Sequence, residues 1–231
     1  MRKILVGIAV VAMLNGATAF AGSITWDDET INFEGFGHLD SRDEIGTPQI
    51  DSMTVNWDDA TNALLGVSIS LRSASAPQLY DSLWISTDGA WDSWDFLVHS
   101  GGSAHEGNTV GNVPGNGLWI VNNPFDYTYV DGGTSRRSGH PNGIDANSLT
   151  FFSELTGSQV GSLISYDFTG SGITLGENFS FAYGPWCAND VILGEGNMDP
   201  VPEPATMLLF GAGLVGLAGV KHGRKKNVSK A

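Results

Sequence analysis

Between residues 27 and 203 the chain has no lysine, and four arginines, Arg42, Arg72, Arg136 and Arg137, face 25 Asp and Glu side chains, a formal charge of −21. A surface this acidic repels nucleic acid and anionic lipid head groups, which excludes DNA or RNA as a partner. It also leaves too few cations to hold an acidic polysaccharide and steady the anion of a lyase reaction. Solubility alone accounts for the acids without a specific cation role. Cysteine is nearly absent too. Cys187 is the only one in 231 residues, so no intramolecular disulfide can form and stability must come from burial. It lies between Trp186 and Ala188 with no cationic side chain beside it in sequence, the setting of an inert, buried thiol. The chain lacks a Gly-x-Ser-x-Gly elbow, a His-Glu-x-x-His helix, a phosphate loop and an evident Cys–His pair, so no catalytic signature stands out.

A convincing amphipathic helix is missing as well, and what fills the body instead is alternation of period two. Residues 52–57 place Met53, Val55 and Trp57 against polar neighbours, and residues 63–71 place Leu65, Val67, Ile69 and Leu71 on one face. Residues 83–85 run into the turn signal Thr87-Asp88-Gly89, and residues 94–98 form the returning strand. Further strands are expected at residues 24–26, 30–33, 118–121, 127–130, 149–152, 163–168, 179–183 and 191–193, separated by Gly, Asn, Asp, Ser and Pro clusters. Short strands at close spacing predict an all-β fold, a single antiparallel β-sandwich of jelly-roll or lectin-like type. A solenoid is the rival, but no repeat of fixed period is found.

Two loop-rich stretches could carry chemistry. Residues 87–95 hold Trp91 and Trp94 together with Asp88, Asp92 and Asp95. Indole faces stack on the apolar faces of sugar rings and carboxylates accept from hydroxyls, so Trp91, Trp94 and Asp92 are the candidate carbohydrate contacts. The bland reading is packing and turn formation, with one of the tryptophans in the core. Asp88, Asp92 and Asp95 are also the candidate calcium ligands, although they lack the Asp-x-Asp-x-Asp-Gly order of a calcium loop. The second stretch is residues 138–145, containing His140 and Asp145, with His99 and His105 read as part of another glycine-rich loop. Their spacing matches no metal motif. No firm metal site and no cofactor are expected.

The two ends are different in kind from the body. Arg2 and Lys3 precede an apolar run over residues 4–14, and Ala19-Phe20-Ala21 supplies the Ala-x-Ala pattern of a signal-peptidase site. Residues 1–21 therefore read as a signal peptide, residues 22–199 as the β-sandwich domain and residues 200–231 as a separate C-terminal signal. In that tail Pro202, Glu203 and Pro204 form a rigid, extended segment, because each proline fixes its own φ and disfavours helix in the residue before it. Residues 207–220 are apolar, and as helix they would cover about 21 Å of a hydrocarbon core about 30 Å thick. Gly211, Gly213, Gly216 and Gly219 weaken that helix further, which fits a transient transmembrane segment better than a permanent anchor. Lys221, Arg224, Lys225 and Lys226 follow as a basic stop that would stay inside while the body lies outside.

This conjunction of a proline-framed motif, a hydrophobic stretch and a basic end resembles the PEP-CTERM signal of exosortase substrates in Gram-negative bacteria. The resemblance covers the C-terminal signal alone. It implies Pro202, Glu203 and Pro204 as the processing motif, the basic residues as the sorting stop, and signal peptidase and an exosortase as partners during maturation. It also implies a passing inner-membrane intermediate, a destination at the cell surface or in the extracellular matrix, and an association with exopolysaccharide and biofilm. Three readings follow: a non-enzymatic binding or structural module, a secreted glycoside-active enzyme with the same tail, and a permanent bitopic membrane protein.

Overall fold

The computed structural model describes residues 21–29, 49–72, 81–89, 93–101, 108–131, 141–185 and 190–198. The described chain is built from antiparallel strands, as the alternation predicted, and its one helical element is a single 3₁₀ turn, Ala146–Ser148.

A five-stranded sheet has the order β1 (Ala21–Asp27), β2 (Ile50–Asp58), β3 (Leu64–Leu71), β12 (Leu163–Asp167), β11 (Ser158–Val160). A six-stranded sheet has the order β10 (Leu149–Ser153), β7 (Gly117–Val121), β5 (Phe96–Ser100), β4 (Asp81–Ser86), β13 (Asn178–Pro185), β14 (Ile192–Asn197). Every strand pair in both is antiparallel. The sheets face each other across one apolar layer. Met53, Val55, Val67, Ile69, Ile164 and Tyr166 come from the first sheet, and Leu83, Ile85, Val98, Phe179, Phe181 and Tyr183 from the second. Each such large apolar side chain contributes about 1.5–3 kcal/mol relative to exposure, and this layer supplies the stability that a disulfide would otherwise add.

The hairpin expected of residues 83–85 and 94–98 forms, with Ile85 opposite Phe96 and Leu83 opposite Val98, although the returning strand begins at Phe96 and not at Trp94. The alternation in β3 slips at one point. Leu64 is buried and Leu65 only half-buried, whereas Val67, Ile69 and Leu71 face inward as expected. A bulge causes the slip: pairing moves from Asn56 opposite Gly66 to Trp57 opposite Leu64, so one residue of β3 is skipped and the inward face changes parity.

A third, three-stranded sheet of β6 (Asn108–Val110), β8 (Tyr127–Asp131) and β9 (Pro141–Ile144) was not apparent in the sequence. It lies on the outer face of the six-stranded sheet, where β9 packs against β4, β5 and β13. All four residues of β9 are buried, and Pro141 opens the strand, a position where a missing N–H costs no ladder bond. Beneath it is a second apolar cluster of Trp84, Trp94, Leu97, Ile144, Leu149 and Ala182. The strand expected at residues 30–33, Cys187, residues 1–20 of the N-terminal signal and the whole C-terminal signal lie outside the described residues, whereas Ala21, placed in the signal by the sequence, opens β1 opposite Asp58. Among the described residues no helix is long and apolar enough to cross a membrane.

Candidate functional site

The β4–β5 turn carries the tryptophan and aspartate cluster. Gly89 sits at φ +86°, and a Cβ there would come within 2.5 Å of Asn178 Cβ, so the turn requires glycine on both counts. Asp95 Oδ2 accepts from the Thr87 N–H at 2.7 Å and from the Thr87 hydroxyl at 2.6 Å. Asp88 Oδ1 accepts from the Ser86 hydroxyl at 2.9 Å. These two carboxylates therefore hold the turn closed. Asp92 and Trp91 lie outside the described residues, and among the described residues no group of three or more His, Cys, Asp or Glu side chains is placed to hold a metal ion.

Trp94 is 2 % exposed and its Nε1 donates to the Tyr127 hydroxyl at 2.8 Å, which ties the β4–β5 turn to β8 of the covering sheet. It has no face to offer a sugar. Of the two roles foreseen for this residue, packing is the one it has, because the third sheet closes over it.

His99 is corrected more sharply. It is not in a glycine-rich loop but on β5, 1 % exposed, on the outer face beneath β9. Its Nδ1 lies 3.3 Å from Ser82 Oγ, and the Ser82 hydroxyl donates to the Asn142 carbonyl at 2.7 Å. Because a serine has one proton to give, the Nδ1 contact requires the proton to sit on Nδ1. In that arrangement His99 donates toward Ser82. Asn142, read from the sequence as loop, is on β9 and completes the network: its Oδ1 accepts from Thr128 at 2.8 Å and its Nδ2 donates to Thr109 at 3.0 Å. Four elements, β4, β5, β8 and β9, meet through these side chains, and Thr109 brings in β6. Asp145 follows β9 and caps the 3₁₀ turn, accepting from Asn147 N at 2.9 Å and from Asn112 N at 2.8 Å. These backbone donors, Asn112 first, hold its carboxyl below the usual carboxylate value.

Among the described residues an aromatic pair that faces solvent lies elsewhere, at the β7–β10 edge. Trp119 on β7 stands opposite Phe151 on β10, with ring centroids 5.2 Å apart and planes at 78°. Phe151 is 48 % exposed and Trp119 half-buried. The Trp119 Nε1 donates to the Gly115 carbonyl at 3.0 Å, so the indole is fixed by the loop that precedes β7. Gly117 adopts φ +143°, and a Cβ there would lie 2.9 Å from the Phe151 ring, so a glycine is needed to seat it. Phe152, the extra residue of a bulge, turns to the other side and meets Phe96 with centroids 5.9 Å apart. Sequence reading passed over this pair because Trp119 and Phe151 are 32 positions apart and each alone reads as a core strand residue. The cue that was there is the charge-free composition of both strands.

Pro202, Glu203, Pro204, Lys221, Arg224, Lys225 and Lys226 lie outside the described residues. No curated protein and no solved structure matches the chain. Residues 200–225 match the family model for the PEP-CTERM protein-sorting motif, which supports an exported protein that is processed by an exosortase and sorted to the cell surface.

Proposed function

We propose that this protein is a non-enzymatic binding or structural module of the extracellular polysaccharide of a Gram-negative bacterium. In this reading it is exported, held for a time in the inner membrane by residues 207–220, and cut at Pro202-Glu203-Pro204. The observation that carries the reading is the match of residues 200–225 to the sorting motif. Two others support it. The body's charge of −21 keeps it soluble and clear of anionic surfaces once it is outside. The buried Ser82, His99, Thr128 and Asn142 are engaged with one another across layers, which suits a scaffold better than a reaction centre.

The test is the mass of the mature protein recovered from the cell surface and matrix, for the native chain and for Glu203→Ala. The native mass should lack residues 1–21 and everything beyond the Pro-Glu-Pro region. The Glu203→Ala chain should be exported yet remain uncut in the inner-membrane fraction. Normal maturation of that variant would refute the assignment of the motif, and a native mass that retains Ala231 would make the protein a bitopic membrane protein.

A further inference from the structure

We infer that the Trp119–Phe151 corner is the contact surface for a neutral polysaccharide. The inference rests on the matrix reading above and adds to it a site and a ligand class.

Geometry comes first. At 78° the two rings form a floor and a wall, and a strained glycine together with a hydrogen bond to the indole N–H holds them in place. Pre-fixed rings lose little entropy on binding, which is what an aromatic sugar platform needs. The C–H face of a pyranose fits against one ring, while hydroxyls at its rim can reach the amides of the adjoining loop. Asn116 of that loop is exposed directly before the corner's own strand.

Charge then selects the class of ligand. The body averages more than one acid in every ten residues, yet residues 111–123, which hold the loop and β7, and residues 149–153 of β10 contain no charged residue at all. A site for a cationic peptide would want carboxylates beside its rings, and these two strands have none. An anionic polymer would meet the field of 25 acids. A second copy of the chain would bring another −21 against the first, which disfavours self-association through this edge. An uncharged polyol is the partner that neither the local nor the global charge opposes.

The experiment is electrophoresis of the mature protein, produced through its own export route, in native gels containing hydroxyethylcellulose, dextran or alginate. The native chain should be retarded by a neutral polymer and not by alginate. Phe151→Ala should weaken that retardation about tenfold, the factor that corresponds to about 1.4 kcal/mol, and Phe151→Tyr should preserve it. Because Phe151 is largely exposed, the variant should fold, and an unchanged near-ultraviolet circular dichroism spectrum would verify this. Equal retardation of Phe151→Ala and the native chain would overturn the site while leaving the matrix reading intact. Retardation by none of the polymers would overturn the inference, and the matrix reading would then be judged by the fractionation experiment alone. Retardation by alginate as strong as by the neutral polymers would overturn the ligand class. A concentration-dependent dimer lost in Phe151→Ala would identify a second copy as the occupant and overturn the glycan.

Discussion

Trp94 and Trp119 lie on the same side of the six-stranded sheet, each with its indole N–H satisfied, one by the Tyr127 hydroxyl and the other by the Gly115 carbonyl. One is sealed under β8 and β9 and the other stands beyond them, half-open beside an exposed phenylalanine. What separates them is the three-stranded sheet, whose β9 packs against β4, β5 and β13. The same residue type, equally well hydrogen-bonded, is therefore core in one place and surface in the other. A tryptophan's role here depends on what lies over it, not on what flanks it in the chain.

Trp94→Ala should break the covered side most severely. It removes a large buried ring and the tie to Tyr127, with an expected loss of about 3–5 kcal/mol in denaturant unfolding. Phe151→Ala in the same assay should cost below about 1.5 kcal/mol, since it loses little more than an exposed edge-to-face contact. Equal losses at the two positions would mean that the outer face is uniformly covered and would end the distinction. Asn142→Ala should fall between them, at about 1–3 kcal/mol, because it strands the hydroxyls of Thr128 and Thr109 under the third sheet. Hydrogen exchange should locate that loss in β6, β8 and β9 and leave the five-stranded sheet protected.

The smallest effect expected is that of acid. Asp145, Asp58 and Asp167 all have carboxyls held below the usual value by hydrogen-bond donors, first of all Asn112 from the loop before β7 for Asp145, and Thr61 and Thr169 from their own turns for Asp58 and Asp167. A lowered folded-state value means that the contribution is present in full above the unfolded value, about 3.9, and is lost as pH falls through the lower folded value. The melting temperature should hold from neutrality down to about pH 5 and decline below about pH 4. Asp145→Asn should make the decline shallower, and an unchanged acid limb in that variant would remove Asp145 from the explanation.

Much of the fold was legible, and the exceptions have local causes. The β4–β5 hairpin could be read because two short apolar runs, residues 83–85 and 96–98, flank a turn that contains Asp88-Gly89. The inward set of β3 was misjudged at Leu65 because a bulge against β2 leaves no mark in a hydrophobic pattern. Strands β6, β9 and β11 are three or four residues long, too short to show a period, so Pro141-Asn142-Gly143 read as loop. His99 read as loop because glycines follow it, although its own pairing with Ser82 and Gly117 makes it strand. Of the candidate sugar contacts, Trp94 was assigned by composition, and composition cannot tell a ring beneath a sheet from one beside it.

The sequence by itself determined the address and the class. A sorting signal is a contiguous string of residues, so the match of residues 200–225 can be made from local sequence alone. Antiparallel sandwich architecture likewise follows from short strands at close spacing, alternating in β2 and β3 and separated by turn-forming clusters. The tertiary structure alone decided which polar groups are interior and which aromatics meet solvent. Those outcomes depend on contacts such as Ser82 with Asn142, 60 positions apart, and Trp119 with Phe151, where the partner arrives from another strand and no local pattern announces it.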